Sequence, residues 1–221
     1  MRRFKAIGIK LLIFDLDGTL IDSKLDLAGA ANATRGYMGM QPIGDELVYS
    51  YVGNGAPVLI RRVLGPEASE QDVQRALDFF IRYYGQHCLD NTALYPGVRE
   101  ALNRLRGQSV AMAVLTNKPV RISHHILRGL GLGQHFLRVY GGNSFAHKKP
   151  DPIGVNTLLH ETGLARETTV MVGDSAVDMR TARNAGIRAC GVSYGFQPES
   201  FSDDPPDVLI DDLRELANGT L

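Results

Sequence analysis

Charge of either sign is not in excess: 24 Lys and Arg stand against 24 Asp and Glu in 221 residues, a formal net charge of zero. A neutral chain has no global attraction for nucleic acid or an anionic membrane. Any anionic ligand must be held by a local arrangement of cations and backbone amides. Cysteine is scarce. Cys88 and Cys190 lie far apart, and neither has a metal-ligand neighbour at short spacing. They read as incidental thiols in a reducing compartment rather than a disulfide framework. No apolar run approaches the roughly 20 residues of a membrane span. The opening Met1-Arg2-Arg3-Phe4-Lys5 resembles a secretory n-region, but the apolar stretch after it is broken by Lys10 and ends at Asp15 without a small-residue cleavage site. A first strand is expected there instead of a signal peptide, and with it a soluble, cytoplasmic protein. Internal repeats and low-complexity segments are also missing.

What is present is an ordinary globular balance, 44% hydrophobic and 22% charged, in a length that suits one large domain or one domain with an insertion. Leu11-Leu12-Ile13-Phe14 is a short apolar run stopped by Asp15-Leu16-Asp17-Gly18-Thr19, the pattern of a strand buried on both faces of a parallel sheet. Val110 to Leu115 and Thr169 to Val172 repeat it, with shorter candidates at Ala189 to Val192 and Val208 to Ile210, and a weaker one at Phe136 to Tyr140. Helical periodicity separates them at Gly97 to Leu105, Val120 to Leu130, Ile153 to Thr162 and Asp178 to Ala185. Strands alternating with helices predict an α/β fold with a Rossmann-like parallel sheet. From Ser23 to about Thr92 the alternation fails. Helical patterns, clearest at Ala56 to Leu64 and Asp72 to Tyr84, occupy a block too long for a crossover helix. The expected organisation is a core of residues 1–22 and 92–221 with a helical cap of residues 23–91 inserted after the first strand.

Open parallel sheets bind ligands beyond the carboxyl ends of their strands. At those ends this chain places Asp15 and Asp17, then Thr116, Asn117 and Lys118, then Gly173, Asp174, Ser175 and Asp178; Lys148-Lys149-Pro150-Asp151-Pro152 precedes the later strand. Carboxylates without His or Cys favour a hard cation bound through oxygen, Mg²⁺ above all. A hydroxyl, a lysine and helix-opening amides favour phosphate. Together they indicate phosphoryl chemistry. Asp15 could attack phosphorus if Mg²⁺ and Lys149 offset the repulsion between anions, and Asp17 could give a proton to the leaving oxygen and later take one from water. Each fragment alone has a plainer explanation as a turn, a helix cap or surface charge. Their joint occurrence, in order and each at a strand end, is what carries the argument. His124 and His125, adjacent on one helix, do not share a face and form no metal pair.

The same residues resemble the haloacid dehalogenase-like hydrolases, whose motifs are matched by Asp15 to Thr19, Thr116, Lys149 before Pro150-Asp151-Pro152, and Gly173 to Asp178. The resemblance covers almost the whole chain. It implies Asp15 as nucleophile, Asp17 as acid and base, and Lys149 as the neutralising cation. It implies Thr116, Asn117 and Lys149 as phosphate ligands, and Asp15, the Asp17 main-chain carbonyl and Asp174 as Mg²⁺ ligands. Asp178 would support the metal site through water or Lys149. Asp17 argues for phosphate esters over halides, since a departing halide needs no proton.

Within the subtype carrying a small helical cap, the chain is similar to the phosphoglycolate phosphatase group. Asp22-Ser23, Val52-Gly53-Asn54-Gly55 with Leu59 and Arg61-Arg62, and Val192-Ser193-Tyr194-Gly195 carry that likeness; Leu25 stands where many members have proline. The implied substrate is 2-phosphoglycolate, with Lys24, Arg61 and Arg62 as candidate cap cations for its carboxylate. The expected partner is a small phosphorylated metabolite, with no nucleic acid or membrane, for a monomer or homodimer. The alternatives are a phosphatase or phosphomutase for a sugar phosphate, nucleotide or pyrophosphate, and a receiver domain phosphorylated on aspartate.

Overall fold

The computed structural model describes residues 8–218, so the basic opening Met1 to Lys5 lies outside the described residues. In chain order the elements are β1 (Leu11–Phe14), β2 (Ile21–Asp22), α1 (Lys24–Tyr37), α2 (Asp45–Tyr51), α3 (Ala56–Leu64), α4 (Glu70–His87), β3 (Ala93–Leu94), α5 (Val98–Gly107), β4 (Ala111–Leu115), α6 (Val120–Gly129), β5 (Arg138–Tyr140), α7 (Ile153–Thr162), β6 (Thr169–Gly173), α8 (Ala176–Ala185), β7 (Arg188–Val192), β8 (Val208–Ile210) and α9 (Arg214–Ala217). No described helix is long and apolar enough to cross a membrane. The chain divides into two compact units, one reaching to Asp22 and resuming at Leu94, the other Ser23–Ala93.

The first unit holds a six-stranded sheet in the order β5-β4-β1-β6-β7-β8, parallel at every pairing. All four residues of β1 are buried, as a central strand between helical layers requires. Leu11 and Ile13 point to one face, into a core with Leu115, Val155, Leu158, Met171, Met179 and Ala182. On the other face Phe14 meets Phe136 edge-on, with ring centroids 6.3 Å apart. The chain leaves β1 for β4 on one side and reaches β6 on the other, so the order reverses at β1 and opens a crevice at its carboxyl end. Phe14 is in register with Val114 and with Val172, which brings the residues following the three strands to one level.

The second unit is helical. Its apolar faces meet through Leu27, Ala31, Val48, Ile60, Val63, Val73, Ala76, Phe80 and Tyr84, all buried. Ser69 caps α4 by accepting from the Asp72 amide at 3.1 Å, and Gly65 closes α3 at φ +90°, a conformation that favours glycine. Entry and exit are tied together by Asp26. Its carboxylate accepts from the Asn91 amide at 2.9 and 3.1 Å, the Asn91 side chain at 2.9 Å, the Thr92 amide at 2.9 Å and the Thr92 hydroxyl at 2.7 Å. This bonding draws Asn91 and Thr92 into the helical unit and sets its end at Ala93, two residues past the boundary expected from sequence. Burial pushes the Asp26 carboxyl up, but the donors from Thr92 and Asn91 outweigh it and hold the group below its ordinary value.

Candidate active site

Two strand ends deliver the carboxylates. After β1 the backbone continues the ladder for one residue, the Asp15 amide donating to the Val172 carbonyl at 2.9 Å, and then turns through Gly18 at φ +77°. Beyond β6, Asp174 follows Gly173, and α8 opens at once with Asp178 in its first turn. Asp178 Oδ2 accepts from the Ser175 amide at 3.2 Å and the Ser175 hydroxyl at 2.8 Å, the reach-back of a capping box, while Oδ1 accepts from Lys149 Nζ at 2.5 Å. Asp15, Asp174 and Asp178 each offer an oxygen within 4.8 Å of the others, and all three are buried. Glycines make this approach possible. A Cβ on Gly18 would lie 2.0 Å from Asp174 Oδ2, one on Gly173 2.2 Å from Asp178 Cγ, and one on Gly195 2.2 Å from Asp174 Cβ. The Phe196 amide donates to Asp174 Oδ2 at 2.7 Å, fixing the carboxylate from the far side.

Lys149 stands among these acids, 2.5 Å from Asp178 Oδ1 and 2.9 Å from Asp15 Oδ1, with its side chain 2% exposed. Burial works against its ammonium, yet Asp15 and Asp178 hold it well above the usual lysine range. Burial pushes the Asp15 carboxyl up to about 6; Lys149 opposes the rise and Asp178 adds to it. Asp174 is driven well above the ordinary carboxylate range, by burial first and then by Asp178 and Asp15. One lysine among three buried acids leaves the cluster short of positive charge. Asp15 Oδ1 is buried with Lys149 Nζ at 2.9 Å as an ion-pair partner but without an aligned hydrogen-bond donor. An all-oxygen donor set, a buried carboxylate oxygen without an aligned hydrogen bond and a charge deficit are what a hard divalent cation such as Mg²⁺ fits. Asp15 and Asp174 could hold it; Asp178 already binds Lys149 and Ser175.

The remaining expected residues fall as follows. The Thr116 hydroxyl hydrogen-bonds Asp15, and its amide extends the sheet to the Tyr140 carbonyl at 3.0 Å. The Asn117 side-chain amide donates to the Lys149 carbonyl at 3.1 Å, so it positions the lysine's own backbone. The Asp17 carboxylate stands apart from the three-acid cluster and is held by Lys118 Nζ at 2.8 and 3.0 Å. Lys118 was visible at a strand's end, but its partner lies 101 residues away. Sequence reading also gave no role to Tyr194, whose hydroxyl donates to the Thr19 carbonyl at 3.0 Å and whose ring lies 4.7 Å from that of Tyr95. Burial first raises both phenols, helped by nearby acids at Tyr95 and by Cys190 and nearby acids at Tyr194, so both stay neutral donors. Within the helical unit, Lys24 lies over the Tyr49 ring at 5.5 Å, Arg61 pairs with Glu70 at 2.6 Å, and Arg62 lies over the Tyr51 ring at 5.9 Å while donating to the Tyr51 carbonyl at 3.3 Å.

Residues 12–192 match the family model described as haloacid dehalogenase-like hydrolase. A phosphoglycolate phosphatase of Pseudomonas fluorescens (strain Pf0-1) is 42% identical over 219 residues, covering 96% of this chain and 80% of its own. One from Vibrio parahaemolyticus is 39% identical over 215 residues, covering 94% of each chain. Among solved structures, a predicted phosphoglycolate phosphatase from Haemophilus somnus 129pt superposes with a TM-score of 0.90 at 32% identity, over 96% of this chain and 98% of that one. With a rim of buried acids around one lysine and these likenesses along almost its whole length, the chain belongs to the haloacid dehalogenase-like hydrolases.

Proposed function

We propose that this hydrolase cleaves a small phosphate monoester, 2-phosphoglycolate to glycolate and phosphate, through an aspartyl phosphate on Asp15 and with Mg²⁺. That it is a phosphoric monoester hydrolase follows from its family and from relatives of that activity at about 40% identity. The observation that carries the mechanism is the triangle of Asp15, Lys149 and Asp178, with Lys149 Nζ within 2.9 Å of both acids. It holds a nucleophile beside a fixed positive charge.

An oxygen of Asp15 attacks phosphorus in line, and the bond from phosphorus to the ester oxygen breaks. Asp17 gives its proton to that oxygen, so glycolate leaves as an alcohol. Water then attacks the phosphorus, Asp17 takes its proton, and the acyl phosphate bond breaks to return the Asp15 carboxylate and free phosphate. Lys149 faces the negative charge carried by the phosphoryl oxygens in both steps, and Asp178 keeps the lysine in place. Thr116 orients Asp15 and stands where a phosphate oxygen would accept its hydroxyl proton. Mg²⁺, held by Asp15, Asp174 and the Asp17 main-chain carbonyl, would neutralise the repulsion between carboxylate and phosphate.

The test is phosphate release from a panel of monoesters including 2-phosphoglycolate, with Mg²⁺ and with a chelator. Magnesium-dependent preference for 2-phosphoglycolate is expected. Equal release from many esters would remove the substrate and keep the chemistry; release that survives chelation would remove the metal.

A further inference from the structure

Two lysines at the rim are buried, and only Lys149 has a part in the proposed reaction. The other is Lys118, whose side chain is 3% exposed. Its backbone is fixed on several sides. The amide donates to Thr116 Oγ1 at 3.3 Å, and the carbonyl accepts from the Gly142 amide at 2.9 Å. The neighbouring strand-end loop is pressed against it: a Cβ on Gly141 would lie 2.6 Å from the Lys118 carbonyl oxygen, and one on Gly142 2.3 Å from that of Asn117. From this anchored base Nζ reaches both oxygens of Asp17, at 2.8 and 3.0 Å. An ammonium centred between two oxygens of one carboxylate is a carboxylate-binding site.

Asp17 is also the group assigned to the leaving oxygen, and the leaving group of the proposed substrate carries a carboxylate of its own. A single methylene separates ester oxygen from carboxylate carbon in 2-phosphoglycolate, so with ordinary bond lengths the carboxylate oxygens lie within about 4 Å of the ester oxygen. An ester oxygen beside Asp17 therefore places the substrate carboxylate within reach of Lys118. The candidate cations of the helical unit are engaged within that unit, Arg61 with Glu70, Arg62 with Tyr51 and Lys24 with the Tyr49 ring.

We propose that Lys118 is the specificity-determining cation of this enzyme: it binds the carboxylate of the substrate's leaving group, and Asp17 gives up the ammonium to turn toward the ester oxygen. The inference rests on the substrate reading above. It assigns to Asp17 two positions, one on the lysine before substrate arrives and one on the leaving oxygen afterwards. It also gives a carboxylate leaving group an advantage over a neutral one. Such a group replaces a carboxylate already in place, so the buried ammonium is never left without an anion. A neutral leaving group offers no replacement, and Asp17 must then choose between the lysine and the ester.

The test compares 2-phosphoglycolate with 2-hydroxyethyl phosphate, an ester of the same length without the carboxylate, in wild type, Lys118→Met and Lys118→Arg. Wild type is expected to favour 2-phosphoglycolate in kcat/KM. Lys118→Met is expected to shrink that preference at least about 30-fold, the scale for removing one partner of a buried charge pair, and Lys118→Arg to restore part of it. Glycolate should inhibit wild type competitively and lose at least about tenfold in affinity in Lys118→Met. An equal fall on both esters, with glycolate inhibition retained, overturns the inference and leaves Lys118 as an aligner of Asp17. A preference that survives intact in Lys118→Met overturns it as well. Wild type without any preference for 2-phosphoglycolate removes the substrate reading itself, and the inference falls with it. Residual turnover of 2-hydroxyethyl phosphate by the variants reports that they are folded.

Discussion

Replacing Lys149 with methionine removes a charge of known surroundings and leaves the volume nearly filled. Its ammonium lies 2.5 Å from Asp178 and 2.9 Å from Asp15, with the side chain 2% exposed. Breaking a buried pair by deleting one partner costs about 3–5 kcal/mol, because the remaining charge stays buried without compensation. Here two acids, Asp15 and Asp178, lose their shared partner, so the upper half of that range is expected. The loss should depend on pH. The folded-state value of Asp15 is raised from 3.8 to about 6, so the folded protein holds its proton more tightly than the unfolded chain. That contribution favours folding below 3.8 and is lost as pH rises toward about 6. Without Lys149 the raised window extends further upward, and the variant answers by keeping protons. At about pH 5 the wild-type Asp15 is already largely protonated, and the deficit of Lys149→Met should fall to about half its value at pH 8. In a chain of this length each kcal/mol moves the melting temperature by about 2–4 °C, which predicts a drop of roughly 8–20 °C at pH 8 in chelator. Urea melts at both pH values give the free energies, with Lys148→Met as control, expected within about 0.5 kcal/mol of wild type. A deficit that is the same at both pH values, or smaller than that of the control, would refute the electrostatic account of this cluster.

Asp15→Asn should abolish turnover by at least about a thousandfold while the circular dichroism spectrum and melting temperature are kept, since the proposed nucleophile is lost while the amide oxygen can still accept from Thr116 and Lys149 keeps Asp178. Gly195→Ala should lower Mg²⁺ affinity at least about tenfold by calorimetry and cost about 1–3 kcal/mol in stability, because its Cβ would lie 2.2 Å from Asp174 Cβ and 2.7 Å from the Gly18 carbonyl oxygen. Asp26→Ala strands the donors of Asn91 and Thr92 and should cost about 2–4 kcal/mol at neutral pH. The depressed Asp26 carboxyl contributes fully above its unfolded value of 3.8 and loses that contribution as pH falls through its lower folded value, so the gap between variant and wild type should narrow in acid.

Much of the sheet and rim was readable because their signals are local. Leu11 to Phe14 announces a buried strand by composition alone, and Asp15 follows it without a gap. Lys149 was separable from Lys148 by its place before Pro150-Asp151-Pro152, and the structure buries Lys149 to 4% exposure. The weak run at Phe136 yields a strand only from Arg138. What could not be read are pairings between distant residues. Nothing near Asp17 indicates Lys118, 101 residues on, and nothing near Thr19 indicates Tyr194, 175 residues on. Nothing local to Asp26 indicates its role, because its partners lie 65 and 66 residues later. The glycines behave likewise: Gly195 is needed for what Asp174 occupies, and no local pattern carries that information.

The bonding at Asp26 also bears on how an insertion of this kind can be exchanged between hosts. A carboxylate accepting five hydrogen bonds from Asn91 and Thr92 makes the helical unit supply its own closure. The host strand need only offer two neighbouring attachment points, which the Tyr95 amide and the Leu20 carbonyl already provide at 3.2 Å. Loop-closure entropy is then met inside the insert rather than by the sheet. A module built this way can be lengthened, shortened or replaced by recombination at its two attachment points while the strand ends that carry the acids are inherited unchanged.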